Sequence, residues 1–154
     1  YYKSEVSLTR YIQLEEDWII AGRIREGFIK PLKNESTPIE DRFLLGGASS
    51  LRGWGRHQIS PVNDEGKPTG GNTMMEANIE LRFPIYDIFS GVAFTDMGNV
   101  WRKAFNYNLI HLRYDAGMGL RVSTPVGPVR LDIAAPVFEQ RISPRFFLSV
   151  GHAL

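Results

Sequence analysis

Apolar and polar residues alternate along most of this chain with the two-residue period that is typical of β-strands. At residues 73–83 and 110–122 nearly every polar side chain falls on one face, and the opposite face carries no charge. The same period recurs, less regularly, in five further segments, namely residues 1–14, 18–28, 89–101, 129–135 and 146–154. The pattern therefore predicts an all-β chain of about seven antiparallel strands.

The predicted connections alternate in length, with short turns after Leu14, Phe83 and Val122 and longer loops after Phe28, Trp101 and Ala135. An up-and-down barrel in an outer membrane has this asymmetry, because its periplasmic turns are short and its outer loops are long. Most predicted strands are also near the roughly 9 to 11 residues that cross a bilayer when tilted. A soluble β-sandwich would not be expected to alternate short and long connections so regularly. It stays the alternative fold.

The two strand faces differ in chemistry as a membrane barrel requires. The apolar face of the strands is almost uncharged, as lipid contact requires. A charged side chain that faces lipid at mid-membrane costs about 2 to 4 kcal/mol. The polar face suits a shared interior where guanidinium groups pair with acids, and its charged members are Arg23, Arg25, Glu76, Glu80, Arg82, Arg113, Asp115, Arg130 and Asp132. The pattern predicts an antiparallel up-and-down transmembrane β-barrel. Arg10 and Glu26 are exceptions to the alternation in the first two strands, and in residues 89–101 the faces are unclear, because Val92, Phe94 and Asp96 fall together.

A long loop, residues 31–70, separates the second and third predicted strands. Its segment 42–54 contains Gly46 and Gly47 and leads to a tip formed by Leu51, Arg52, Gly53 and Trp54. Glycine permits the tight dihedral angles of a hairpin that folds back on itself, which would carry Arg52 into an enclosed polar space. An ordinary surface loop is the alternative on spacing alone. A phosphate-binding loop is excluded, because no strand leads directly into the segment and no Gly-Lys-Ser/Thr follows it.

Composition adds outer limits to this picture. The chain has 154 residues, which suits one domain or part of one, and its formal net charge of +1 gives no sign of a nucleic-acid partner. The absence of cysteine excludes disulfides and thiolate metal sites. No apolar run approaches the roughly 20 residues of a membrane helix. Because the sequence begins at Tyr1 rather than methionine, we expect a fragment or a processed chain.

Enzyme chemistry is not indicated by any side-chain pattern in the sequence. The histidines, His57, His111 and His152, are scattered without the spacing of metal ligands. Ser49 and Ser50 lack the sequence context of a nucleophilic serine. We therefore expect neither a catalytic residue, nor a metal, nor a cofactor in this segment.

Several motifs, in order along the chain, resemble one known family. They are the loop 42–54 with its Leu51-Arg52-Gly53-Trp54 tip, the strand at residues 71–84, residues 94–101 (Phe-Thr-Asp-Met-Gly-Asn-Val-Trp), residues 124–132 (Thr-Pro-Val-Gly-Pro-Val-Arg-Leu-Asp) and the terminal strand. Together they resemble the C-terminal part of the outer-membrane assembly-factor superfamily, whose members include BamA, TamA and the two-partner secretion transporters, also described as a bacterial surface antigen domain. Family barrels have about sixteen strands. The resemblance therefore implies that residues 1–154 are the last seven strands of such a barrel.

The resemblance also implies a functional site. The long loop would fold into the barrel lumen, where Arg52 pairs with two loop-anchoring carboxylates, Glu80 and Asp96. The last strand would form one side of a weakly paired barrel seam, and its residues here are Phe146, Leu148, Val150, Gly151 and Leu154. The family more often has valine or isoleucine at position 51, phenylalanine or tyrosine at position 54, and phenylalanine or tryptophan at the end. Either the terminal signal is degenerate at Leu154, or the true terminus lies further on.

The function implied by the resemblance is the assembly and insertion of outer-membrane proteins without ATP. An exposed strand edge at the seam would template an incoming strand through main-chain hydrogen bonds. The implied location is the bacterial outer membrane, and the implied partners are its bilayer, unfolded outer-membrane or secreted proteins, and accessory lipoproteins. A two-partner secretion pore is the alternative, which ion conductance would reveal. A soluble β-sandwich binding module is a further alternative, which would fold without detergent.

Overall fold

Seven strands form a single sheet in the computed structural model, which describes residues 1–33 and 35–151. The strands are β1 (Tyr2–Gln13), β2 (Ile19–Lys30), β3 (Thr73–Tyr86), β4 (Phe89–Trp101), β5 (Arg113–Thr124), β6 (Gly127–Val137) and β7 (Arg145–Val150). Each strand pairs antiparallel with the next one along the chain. The predicted all-β, up-and-down fold is confirmed, and the sheet is open, because β1 and β7 each pair on one edge only within the described residues.

The predicted alternation of strand faces is also present. On the inner, concave face of the sheet the charged residues are buried, among them Glu76, Glu80, Asp96 and Asp132. On the outer face most side chains are apolar and exposed, with Leu8, Ile24, Ile79, Met118 and Leu148 as examples. Arg10 and Glu26 have the same parity and are charged exceptions near the two ends of their strands. The described residues contain no second sheet stacked on the first, so the β-sandwich alternative is wrong as a fold.

The unclear faces of β4 are resolved by the register. Val92, Phe94 and Asp96 all lie on the inner face and are at most 5% exposed. Asp96 pairs across β3 with Asn78 and across β5 with Asp115, both of which are buried on the same face. Asp96 therefore lies inside together with its two apolar neighbours.

Aromatic side chains mark two rims of the sheet. At the rim of short turns, the rings of Trp18 and Phe83 are 5.3 Å apart. At the rim of long loops three more pairs lie 4.3 to 5.9 Å apart, namely Phe28 with Phe105, Trp101 with Tyr107, and Tyr114 with Phe138. Membrane barrels carry aromatic girdles at both interfaces of the bilayer. The apolar outer band between the two rims is thus the face suited to hydrocarbon.

Three prolines that the sequence places in turns or loops lie within strands. Pro84 belongs to β3, and Pro128 and Pro136 belong to β6. Proline lacks the N–H that a strand donates to its neighbour, so it is tolerated where the neighbouring strand has already ended. On β3, pairing with β2 stops at Arg82, and on β6, pairing with β7 runs only from Val129 to Ala134. Each proline therefore lies just beyond the paired stretch on one edge of its strand.

The start of β5 also differs from the prediction. The alternation predicts a strand from residue 110, but Leu109–His111 forms a 3₁₀ turn and the strand begins at Arg113. The side chain of Asn108 accepts a hydrogen bond of 3.2 Å from the backbone N–H of Ile110. Such a bond from an asparagine stabilises a turn in competition with strand pairing, which explains the later start. In the part of the chain that is described, no helix is long and apolar enough to cross a membrane.

Candidate functional site

The connection between β2 and β3 folds back over the concave face of the sheet. Two short antiparallel bridges hold its base, Phe43 with Gly71 and Leu45 with Ile59. Between them the chain turns tightly at Gly46 and Gly47, whose φ angles are 108° and 109°. Residues other than glycine rarely adopt such positive φ angles. The glycines therefore form the hairpin at residues 42–54 that we call the inner hairpin.

Apolar contacts fix the inner hairpin against the strands. Leu51, Trp54, Phe43, Leu45 and Ile59 of the loop are buried in one cluster, to which the strands contribute Ile29, Met74 and Val100. Burying a large apolar side chain contributes about 1.5 to 3 kcal/mol. These contacts place the Leu51 and Trp54 flanks of the tip, so that Arg52 between them faces the polar wall of the sheet.

Arg52 at the tip of the inner hairpin is 1% exposed and binds two buried carboxylates. Its Nε and Nη2 donate to the two oxygens of Asp96 over 2.8 and 2.7 Å. Its Nη1 donates to Glu80. The backbone N–H of Arg52 also donates to Asp96, over 3.0 Å. The structure thus brings Arg52, Glu80 and Asp96 together, as the family resemblance implies.

Two further features stabilise the charge of Arg52. Its guanidinium carbon lies 3.6 Å from the ring centre of Phe94, which is a favourable cation–π distance. Burial by itself lowers the pKa of Arg52, but the hydrogen bonds and charge of Asp96, together with those of Glu80, more than offset it. The net effect raises the pKa of Arg52 above its usual value. The guanidinium is therefore permanently charged and depends on these two acids for compensation.

The backbone of the inner hairpin is held separately, by side chains from five strands. These contacts are Arg23 to the carbonyl of Ser49 (2.9 Å), Asn78 to that of Ser50 (3.0 Å), Arg130 to that of Ala48 (2.8 Å), and the N–H groups of Arg52 to Asp96 (3.0 Å) and of Gly53 to Asp115 (2.9 Å). The Ser50 hydroxyl donates to Glu76 over 3.2 Å. Sequence reasoning placed most of these side chains on the polar face, but among them it identified only Asp96 as a partner of the hairpin.

Gly53 allows the closest approach of the hairpin to the wall. A Cβ atom added at Gly53 would lie 2.5 Å from the Cβ of Asp115 and 2.8 Å from the backbone carbon of Ala135. Real Cβ atoms do not approach other atoms so closely. Trp54 beside it donates from Nε1 to the carbonyl of Tyr114 over 3.3 Å. Position 53 therefore requires glycine for a steric reason, although its φ angle is ordinary.

The remaining charges of the inner face form further ionic contacts on five strands, β1, β2, β3, β5 and β6. The pairs are Glu5–Arg25 (2.8 Å), Arg25–Glu76 (3.2 Å), Arg23–Glu76 (2.7 Å), Arg82–Glu80 (2.9 Å), Arg121–Asp132 (2.5 Å) and Arg130–Asp132 (3.2 Å). Paired in this way, buried charges avoid most of the penalty of leaving water. Among the described side chains there is no group of three or more histidines or acids arranged for a metal ion.

The terminal strand lies at the opposite edge from β1 and is short. Phe146, Leu148 and Val150 point outward and are exposed, as the alternation predicts. β7 has six residues against eleven in β6, and it pairs with β6 only over residues 129–134. Gly151 follows with a φ angle of 110°, and its N–H donates to Pro128 over 2.8 Å. Leu154, the last residue of the predicted seam strand, lies outside the described residues.

Comparison with known proteins identifies the family. A model of the Omp85 superfamily domain matches residues 1–153. The chain is 30% identical to outer membrane protein assembly factor BamA of Nitratidesulfovibrio vulgaris, over 98% of this chain and 20% of that protein. It is 31% identical to outer envelope protein 80, chloroplastic, of Arabidopsis thaliana, over 72% of this chain and 15% of that protein.

Two further relatives agree. The sorting and assembly machinery component 50 homolog of Bos taurus is 26% identical, over 92% of this chain and 34% of that protein. The crystal structure of BamA from Haemophilus ducreyi lacking POTRA domains 1–3 has the same fold, with a TM-score of 0.78 at 23% identity, over 94% of this chain and 33% of that one. The chain thus spans about a third or less of each of these relatives. The resemblance drawn from the sequence motifs is confirmed, and the chain belongs to the Omp85 superfamily.

Proposed function

We propose that this chain is the C-terminal barrel segment of a factor that assembles outer-membrane proteins in a bacterial outer membrane. Two of its relatives carry assembly in their names, the BamA of N. vulgaris and the sorting and assembly machinery component of B. taurus. The bacterial relative is matched over nearly the whole chain, which favours the bacterial location. The proposed partners are the bilayer, unfolded outer-membrane proteins and accessory lipoproteins.

The observation that carries the proposal is the short terminal strand. β7 has six residues against eleven in β6, and among the described residues β6 has no partner on its β7 side beyond Ala134. Unpaired N–H and C=O groups along a strand edge template the addition of another strand. We infer that a substrate strand pairs at this edge, and that this pairing drives insertion without ATP and without a catalytic residue.

The inner hairpin has a supporting role in this proposal. Its contacts with five strands hold the curvature of the sheet from within, so the seam is the place where the wall can open. Removing one member of a buried charge cluster leaves another charge unpaired, at a cost of about 3 to 5 kcal/mol. The cluster around Arg52 therefore makes the wall of β2 to β6 rigid relative to the edge.

Disulfide capture of a substrate strand tests the proposal. The full-length protein with Ser149→Cys in β7 would be reconstituted in lipid vesicles with an unfolded barrel substrate that carries one cysteine in its own terminal strand. The segment itself has no cysteine, and with any cysteine elsewhere in the full-length protein replaced by serine, each crosslink reports a single site. The matched control is Ser123→Cys in β5, an inner-face serine on a strand that is paired on both edges.

The expected result is a crosslink from Ser149→Cys that forms during substrate folding, together with little or none from Ser123→Cys. Substrate folding without a crosslink at Ser149→Cys would refute templating at β7 while leaving assembly activity in place. No acceleration of substrate folding by the unmodified protein would refute the assembly function itself. A two-partner secretion pore would instead appear as steady ion conductance across the same vesicles.

A further inference from the structure

A second polar site lies at the rim of long loops, away from the inner hairpin. A cavity of about 240 Å³ opens between the base of the long loop and the ends of β2, β3 and β4. Its polar lining comes from Ser36, Thr37, Arg42, Thr69, Asn72 and Arg102, and no acidic residue contributes to it. The lining is thus made of two guanidinium groups, three hydroxyls and one amide.

The two arginines of this rim cavity are held in place without a counter-ion. Arg42 donates from Nε to the carbonyl of Thr37 over 2.9 Å and from Nη1 to that of Thr69 over 3.2 Å. Arg102 donates to the carbonyl of Val62. Within the described residues, neither guanidinium pairs with a carboxylate. Guanidinium groups that backbone carbonyls orient, and that lack a paired acid, are suited to bind an oxyanion through their remaining N–H groups.

Two buried polar atoms at the same cavity have no partner. Thr37 is 2% exposed, and its Oγ1 makes no hydrogen bond among the described residues. The Oδ1 of Asn72 is also buried without a partner among the described residues. A buried polar group without a partner is costly, so such atoms point to a ligand that completes them. The Thr37 hydroxyl can donate to an anion, whereas the Asn72 oxygen is an acceptor, which the remaining hydroxyl of a hydrogen phosphate can satisfy.

The local charge favours an anion as the ligand. Lys30 and Lys103, both exposed, adjoin the lining residues Pro31 and Arg102 in sequence, and the exposed Glu35 adjoins Ser36. The acid next to Arg42 in sequence, Asp41, is bound by the phenol of Tyr1. Together with Arg42 and Arg102, the cations in and beside the lining outnumber these two acids. A tetrahedral oxyanion presents acceptors in several directions, which matches two separate guanidinium groups better than a planar carboxylate does.

We propose that this rim cavity binds a phosphate group through Arg42, Arg102 and Thr37. The cavity lies next to the aromatic rim formed by Phe28 and Trp101, the level at which a bilayer meets water. Phosphate can therefore reach it either as a lipid headgroup or as a free ion. Bound there, the anion links the base of the long loop to the ends of the strands. This site is independent of the proposed seam, since no residue is shared between them.

Isothermal titration of the full-length protein in detergent micelles tests the site. The first probe is inorganic phosphate at constant ionic strength, and the second is a soluble short-chain phosphatidic acid. The variants are Arg42→Gln, Arg102→Gln and Thr37→Val, the last of which removes only the hydroxyl and keeps the shape of the side chain. The matched control is Lys67→Gln, which removes one positive charge from the same loop at an exposed position outside the cavity.

Saturable binding is expected, and each arginine variant should weaken it by at least about tenfold, because hydrogen bonds to charged groups contribute roughly 1.5 to 3 kcal/mol. Thr37→Val should weaken it several-fold, and Lys67→Gln should leave it unchanged. Tighter binding of the lipid than of inorganic phosphate, through the same arginines, would identify a headgroup site, and equal binding a free-ion site. Absence of binding, or equal weakening by Lys67→Gln, would overturn the proposal.

Discussion

A single buried arginine determines how the inner hairpin is placed. Arg52 meets Asp96 through three of its N–H groups, one of them from the backbone, and meets Glu80 through a fourth. All three side chains are removed from water. A buried ionic cluster contributes little net stability compared with apolar packing, but it is costly to leave incomplete. The cluster therefore specifies one position for the hairpin rather than simply stabilising the barrel.

Replacing this arginine should separate insertion from activity. We expect the Arg52→Ala variant to be inserted in the membrane but unable to assemble substrates, because Glu80 and Asp96 then lack their shared cation. The apolar anchors Leu51 and Trp54 remain in the variant, which favours insertion. Heat-modifiable gel mobility would measure folding, and substrate folding in vesicles would measure activity. Lys67→Ala in the same loop is the control, and normal activity of Arg52→Ala would exclude Arg52 from the mechanism.

Substitution of Gly53 should displace the hairpin by steric contact alone. In Gly53→Ala the added methyl group meets Asp115 and Ala135 at less than a contact distance. Overpacking of this kind costs about 1 to 3 kcal/mol, and we expect trypsin to cleave after Arg52 once the tip is displaced. Gly22→Ala is the matched control, because a Cβ there has one neighbour, at 3.9 Å. Equal protease resistance in both variants would show that the tip accommodates a side chain.

At the scale of strands, periodicity was sufficient to predict most of the sheet. A period of two assigns each side chain to a face, and it placed Glu76, Asn78, Arg130 and Asp132 inside. It could not show which backbone atom each of them meets, because that depends on how deeply the inner hairpin enters. The pairing of Arg52 with Glu80 and Asp96 came from the family resemblance. Pro136 was misplaced because its tolerance depends on where β7 stops, which lies outside its own local sequence.

The loop between β4 and β5 packs on the rim of long loops, through a contact that a pH titration can measure. Partial burial raises the pKa of the Tyr107 phenol, and the hydrogen bond and charge of Glu26 raise it further, to about 12. This pKa in the folded protein is above the ordinary value of about 10. The contact therefore contributes fully to the stability of the folded state below about pH 10. Its contribution is lost as the pH rises through about 12. Ionisation of the phenol should therefore release this loop from the rim.

Ultraviolet difference titration of the wild type against Tyr107→Phe isolates the phenol of Tyr107. In the wild type we expect it to ionise near pH 12, because both burial and Glu26 oppose the charged form. In Glu26→Gln the titration should move toward the ordinary value, since the negative charge is removed while the packing is kept. An unchanged titration in Glu26→Gln would show that Glu26 does not contact Tyr107.

For the whole molecule, the inner and outer faces of one sheet meet different surroundings. The ionic pairs run along the inner face from Glu5 on β1 to Asp132 on β6. The outer face between the aromatic rims exposes large apolar side chains, and in water such a surface would be an interaction site or an aggregation hazard. Because the chain belongs to the Omp85 superfamily, the natural cover for this face is lipid.

Two adjacent residues at the middle of β1 point to opposite faces of the sheet, so the same substitution can be made on each face and its effects compared. Leu8 is exposed on the outer face, whereas Thr9 faces inward and pairs across the sheet with Arg23. We expect Leu8→Glu to lower the free energy of unfolding in vesicles on the order of 1 to 2 kcal/mol, somewhat less than arginine at mid-membrane. Thr9→Glu should leave it unchanged or raise it, because its carboxylate lies beside a guanidinium. Equal losses at both positions would mean that the outer face of β1 does not meet hydrocarbon, and the membrane orientation of the sheet would have to be abandoned.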